Sequence, residues 1–194
     1  MCENSNPVKQ DRGAKRFGMA DPLHLLLDLL PTPIGPMMIA ADLAGSLRAA
    51  LFTEQTEVVE AQLRRVYGEN SFTLTPSRDP SGLSTRISHY FAGELAAIET
   101  ISVETGGTDF QRDVWRELRN ISCGTTLSYG ELARRIGRPA AVRAVGSANG
   151  DNPVAVVVPC HRVIGADGSL TGYGGGIERK RWLLDHENRP SRLF

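Results

Sequence analysis

Nowhere in the first part of this chain of 194 residues is there an apolar run long enough to cross a membrane. The best candidate, Leu23 to Leu30, is short and carries His24 and Asp28. Before it, Met1 to about Asp21 is polar and mixed in charge, which is not the layout of a signal peptide. A cytoplasmic protein without membrane contact is expected. Met19 heads a more ordinary beginning, so residues 1–18 read as a disordered extension or a mis-called start. Cysteine is scarce as well. Cys2, Cys123 and Cys160 are odd in number and widely spaced, giving neither a disulfide framework nor a CxxC zinc pattern. Zinc on Cys2, His24 and His89 lacks local ligand spacing, so no metal and no cofactor is expected. Net charge is zero, yet this hides an asymmetry. Residues 1–106 hold 9 basic and 13 acidic side chains, residues 107–194 hold 13 and 9, and twelve of those later cations are arginine. Arginine suits phosphate contact and stacking, although a net +4 is weak support for nucleic acid by itself.

What is present is one concentrated motif, Val156-Val157-Val158-Pro159-Cys160-His161-Arg162-Val163. A thiolate is the reactive form of cysteine and needs positive charge or a hydrogen-bonded base to form at neutral pH. Here a base and a cation follow the thiol directly. The β-branched run favours extended backbone and Pro159 ends the ladder, which puts Cys160 on the rim of a strand end. Neighbours in extended chain face opposite ways, so His161 should reach Cys160 through a water. A small buried thiol beside a surface histidine is the bland alternative, equally open on the octet alone. Cys123, at a helix-ending turn, reads as structural.

The chain divides into two modules. Leu25 to Leu30, Pro36 to Ala41 and Ser46 to Phe52 predict an antiparallel meander, with turns at Pro33-Ile34-Gly35 and Leu43-Ala44-Gly45. Helices follow at Glu57 to Tyr67 and Gly82 to Leu95, then a strand near Ile98 to Val103 and a turn at Gly106-Gly107. In the second module Thr108 caps a helix from Asp109 to Asn120, with Phe110, Val114, Trp115 and Leu118 as its buried stripe. Ser128 caps Tyr129 to Ile136, Gly137-Arg138-Pro139 turns, and Ala140 to Ala148 forms a second short helix, the outline of a helix-turn-helix. Val142 and Val145 should face inward. That leaves Arg143, Gly146, Ser147 and Gly150 on a bare outer face suited to a narrow minor groove, although this helix taken alone favours a tight helix-helix contact with Arg143 solvated.

Thr108-Asp109-Phe110-Gln111-Arg112-Asp113-Val114-Trp115, Ser128-Tyr129-Gly130-Glu131-Leu132-Ala133, Arg143-Ala144-Val145-Gly146, Asp151-Asn152-Pro153, Pro159-Cys160-His161-Arg162-Val163, Gly172-Tyr173-Gly174-Gly175-Gly176 and Trp182-Leu183-Leu184-Asp185-His186-Glu187 occur in that order. Together they resemble the O6-alkylguanine-DNA alkyltransferases, bacterial single-function type, over roughly residues 20–187. The resemblance implies an α+β protein with a ribonuclease H-like domain over 21–105 and a winged helix-turn-helix-like domain over 106–189, flanked by segments 1–20 and 190–194. It implies irreversible transfer of an alkyl group from O6-alkylguanine, and from O4-alkylthymine, in double-stranded DNA to Cys160 of a monomer. Cys160 is then the acceptor, His161 its base through water, and Glu187 the group that orients His161. Asn152 holds the turn below, and Tyr129 lies near the flipped base and its phosphate. Arg143 fills the vacated stack, with Ala144, Gly146 and Ser147 on the same DNA-facing helix. Val163, Tyr173 and Gly174 line the pocket; many family members carry serine or alanine where this chain has Gly174. The rival readings are a lesion-binding relative without transfer, a plain winged-helix regulator and a cysteine hydrolase. His24, His89 and His186 are left as structural or solvated.

Overall fold

The computed structural model describes residues 22–188. Three strands, β1 (Leu23–Leu30), β2 (Met37–Asp42) and β3 (Leu47–Leu51), form the expected meander through antiparallel pairs. A fourth strand, β4 (Phe72–Pro76), joins β1 in parallel, giving the order β3-β2-β1-β4. It was not anticipated, because its partner lies about fifty residues upstream and no local turn announces the pairing.

Every residue of β2 is buried, and alternation along the strand explains how. Met38 and Ala40 face a small core with Leu25, Leu27, Val59 and Leu63, the last two from helix α1 (Thr56–Tyr67). Met37, Ile39 and Ala41 face the other way into the main core, which they share with the helices. Helix α2 (Leu83–Ala92) adds Leu83, Ile87, Tyr90 and Phe91 to that core and stops at Gly93, whose φ of 108° a side chain would resist. The strand expected near Ile98 to Val103 is instead a 3-10 turn at Leu95–Ile98 followed by irregular chain. Only Val103 bridges Leu47, since the flanking residues Ser102 and Glu104 use both backbone groups of Leu47 and the contact goes no further.

Helix α3 (Asp109–Leu118) starts in a capping box, Thr108 accepting from the Gln111 N–H while the Gln111 side chain accepts from that of Thr108. Helix α4 (Tyr129–Arg135) repeats the device with Ser128 and Glu131. Helix α5 (Val142–Gly150) starts two residues later than expected. Val145 is buried, but Val142 is 39 % exposed, so the inward pair proposed from spacing is not formed. Trp115 of α3 instead fixes α5, its indole N–H donating to the Ala148 carbonyl at 2.7 Å. Two short strands, β5 (Leu127–Ser128) and β6 (Val163–Ile164), pair in parallel, and α6 (Ile177–Glu187) closes the described chain.

Val156 to Val158 are buried as expected, but they form a tight turn, not a strand. Val156 has a φ of 71°, and Val158 N–H bonds back to the Val154 carbonyl. β-branched composition therefore marked burial here and misread the backbone. Among the described residues no helix is long and apolar enough to cross a membrane.

Candidate active site

Cys160 opens a single 3-10 turn, Cys160–Arg162, between the valine turn and β6. It is 6 % exposed, so the thiol is buried and not on a rim. Asn152 shapes the turn before it: its amide donates to the Val158 carbonyl at 2.8 Å and the Val154 carbonyl at 3.3 Å, and its oxygen accepts from Val154 N–H at 3.0 Å. The sheet holds the same segment from outside, with Ala50 of β3 bonded both to the Pro153 carbonyl and to Ala155 N–H.

His161 is fully buried, and its Nε2 lies 2.9 Å from Glu187 Oε1. Arg162 binds the same carboxylate twice at 2.8 Å, through Nε and Nη2, and the Tyr90 hydroxyl donates to it at 2.8 Å. Burial opposes ionisation of Glu187, but the hydrogen bonds from His161 and Arg162 prevail and hold its carboxyl well below the usual range. An ionised carboxylate only accepts, so Nε2 of His161 carries the proton. Burial also drives the imidazole below its usual pKa and keeps it neutral. Its Nδ1 is then a bare acceptor, and it is a buried atom with no protein partner. That is the state required of a base. Glu187 ends α6, where the helix dipole disfavours an anion, and four hydrogen bonds from three residues compensate it.

For Cys160 the balance differs from the sequence expectation. Burial pushes the thiol up, while Asn152 and Lys180 act the other way without overcoming it. The cation next in sequence, Arg162, is spent on Glu187, so the one acting on Cys160 is Lys180, twenty residues on. Lys180 is fully buried and donates to the Val163 and Thr171 carbonyls at 2.6 and 2.8 Å. It therefore also ties β6 to the loop leading to Tyr173.

Tyr129 is half-buried, its ring 3.9 Å from where a Cβ on Gly146 would lie, and its hydroxyl donates to the Thr171 carbonyl at 3.3 Å. The Tyr173 hydroxyl is buried without a protein partner, its pKa raised by burial and by the nearby Cys160. Gly174 faces the end of α5, a Cβ there lying 3.9 Å from the Gly150 carbonyl. Val163 is buried beside the cysteine turn, whereas Arg143, Ala144 and Ser147 are exposed on α5.

Two groups of sequence candidates thus emerge. Cys160, His161, Glu187 and Asn152 gather in the core, with the buried Tyr173 hydroxyl in their vicinity, while Arg143, Ala144 and Ser147 lie on an outer helix face. Of the three residues considered for zinc, Cys2 lies outside the described residues, His24 bonds Thr73 and His89 faces Glu94. Among the described residues no three His, Cys, Asp or Glu side chains could hold a metal. His186 is buried, bonded to the Tyr90 carbonyl and stacked on Trp182.

The 6-O-methylguanine DNA methyltransferase, DNA binding domain family matches residues 109–189. The methylated-DNA–protein-cysteine methyltransferase of Salmonella typhimurium is 48% identical over 165 residues, covering 85% of this chain and 96% of its own length. This chain belongs to the methylated-DNA–protein-cysteine methyltransferase family. The Methanosarcina acetivorans methyltransferase is 42% identical over 82% of the chain and 96% of its own. A crystal structure of Mycobacterium tuberculosis OGT in complex with DNA superposes with a TM-score of 0.69 at 44% identity, covering 86% of this chain and 93% of that one.

Sequence reasoning gave Arg162 to the thiol, whereas it binds Glu187, and it passed over Lys180 and Tyr90. A signal for Lys180 existed. Lys180, Leu183 and Glu187 are spaced three and four apart, so one α6 face carries two charges beside a core leucine. Nothing local pointed to Tyr90, which arrives from α2.

Proposed function

We propose that this protein repairs DNA directly by moving an alkyl group from O6-alkylguanine, and from O4-alkylthymine, onto Cys160, once per molecule. The observation that carries the proposal is a buried cysteine followed by a histidine locked as a neutral base with an unpartnered Nδ1. In the step, the thiol proton passes through a water to His161 Nδ1. The sulfur attacks the alkyl carbon, an S–C bond forms as the C–O6 bond breaks, and Tyr129 donates a proton to the departing base, the proton held by His161 then returning through water to Tyr129 so that both end neutral. Soft, polarizable sulfur suits attack on carbon. The thioether product offers water no good leaving group, so the thiol is not regenerated.

Because the thiol is protonated at rest and buried, the target must leave the duplex and enter beside Tyr173, Val163 and Gly174. An alkylated guanine pairs poorly, which lowers the energy of extruding it. Arg143 fills the gap in the stack, while the small side chains of Ala144, Gly146 and Ser147 let α5 approach the minor groove. This assigns α4 and α5 to a winged helix-turn-helix-like domain over 106–189, carried on a ribonuclease H-like domain over 21–105. The protein acts as a monomer in the cytoplasm, where a free Cys160 thiol is kept reduced.

The test is an intact-mass spectrum and peptide map after incubation with a duplex containing O6-methylguanine. One methyl group on the Cys160 peptide is expected; lesion loss without that adduct, or many turnovers per molecule, overturns the proposal. Replacing Arg143 with alanine should slow transfer from duplex far more than from the free alkylated base. Equal losses would remove Arg143 from the stack.

A further inference from the structure

One arginine on α6 does not touch the network around Cys160, yet it joins the sheet to the loop that carries Tyr173. Arg179 Nε donates to the Ile34 carbonyl in the β1–β2 turn at 2.7 Å, and Nη1 donates to the Gly175 carbonyl at 2.7 Å. Its guanidinium also lies over the ring of Phe52, 5.1 Å from the centroid. The turn is built to receive it. Gly35 has a φ of 109°, a conformation that favours glycine, and a Cβ there would come within 2.9 Å of Arg179 Nη2, so a side chain at this position would push the guanidinium aside. Thr32 stiffens the same turn, its hydroxyl donating to the Gly35 carbonyl and accepting from Ile34 N–H.

Phe52, immediately after β3, backs the pocket loop directly. A Cβ on Gly175 would lie 3.2 Å from the Phe52 ring and 2.7 Å from the Tyr173 ring, so the two aromatics close on the same backbone. A Tyr173 ring that moves towards Gly175 must displace that residue towards Phe52. We infer that Phe52 and Arg179 determine how far the Tyr173 wall yields, and hence which alkyl sizes reach Cys160. This rests on the pocket assignment above and adds a role for the sheet: Arg179 is a positioning residue, and Phe52 limits specificity from behind.

The experiment compares rates of adduct formation from duplexes carrying O6-methylguanine or O6-benzylguanine, read by intact mass, for wild type, Phe52→Ala, Phe52→Leu and Arg179→Lys. The benzyl-to-methyl rate ratio should rise by about tenfold in Phe52→Ala and less in Phe52→Leu. Arg179→Lys keeps the charge but loses the two-pronged reach, so it should also raise the ratio. An unchanged ratio in the soluble variants, whatever happens to absolute rates or thermal stability, overturns the inference. Should Phe52→Ala not fold, the other two variants decide. A wild type that takes up neither group defeats the repair reading itself, which separates the two failures.

Discussion

Behind and in front of Cys160 the protein treats buried polar groups in opposite ways. Behind it, Glu187 receives His161, Arg162 and Tyr90, and Arg162 also donates to the Ile121 carbonyl. In front, His161 Nδ1 and the Tyr173 hydroxyl are buried with no protein partner. A buried polar atom without a partner costs about 1–3 kcal/mol, so such atoms survive where binding or chemistry uses them. The rear network fixes geometry and protonation, while the front leaves two hydrogen-bonding groups open to the substrate proposed above.

The contrast can be broken by substitution. The largest effect belongs to Cys160→Ala, which should abolish alkyl uptake while leaving duplex binding nearly intact, as measured by mass spectrometry and by a binding titration. Residual transfer to the variant would show that another group accepts the alkyl. Next is Glu187→Gln, which leaves Arg162 buried without its counter-charge and should lower stability by about 3–5 kcal/mol in urea unfolding. A loss below about 1 kcal/mol would mean that the rear network is not the tightly coupled unit drawn here. If His161 and Glu187 act together, their double variant should transfer little more slowly than the slower single.

Acid probes the same network more gently. His161 has a usual pKa of 6.5 and Glu187 of 4.5, and both are lowered in the folded protein. Below each usual value the unfolded chain binds a proton that the folded chain refuses. Stability should therefore decline as pH falls through 6.5 and again through 4.5. The histidine contribution between pH 7 and pH 5 is at most about 2 kcal/mol, set by an ordinary imidazole in the unfolded chain. Stability that rises over that range would contradict a neutral buried His161. The smallest stability change is expected in front. Tyr173→Phe removes a hydroxyl that has no protein partner, so unfolding should shift by less than about 0.5 kcal/mol while transfer slows. A large loss of stability there would place Tyr173 with the rear network.

Much of the helical half was legible because its signals are local. Thr108 and Ser128 cap through residues three positions away, and the sequence alone places both. The β1–β2–β3 meander is local too, with turns of a few residues. β4 and the irregular chain at Ile98 to Val103 were misread because strand pairing there depends on partners about fifty residues away. Val156 to Val158 misled for another reason: β-branched side chains signal burial, and Asn152 supplies the hydrogen bonds that make a buried turn possible without a sheet.

The order of residue types along the chain determined the family, the thiol, its neighbouring histidine and the distant glutamate, since each belongs to a short run with its own spacing. Only the tertiary structure decided which cation serves the carboxylate and which the thiol. Arg162, adjacent to the thiol in sequence, turns away to Glu187, and Lys180 comes to Cys160 from α6. Charge acts through space and is strengthened by burial, so sequence adjacency carries no information about it once the backbone turns.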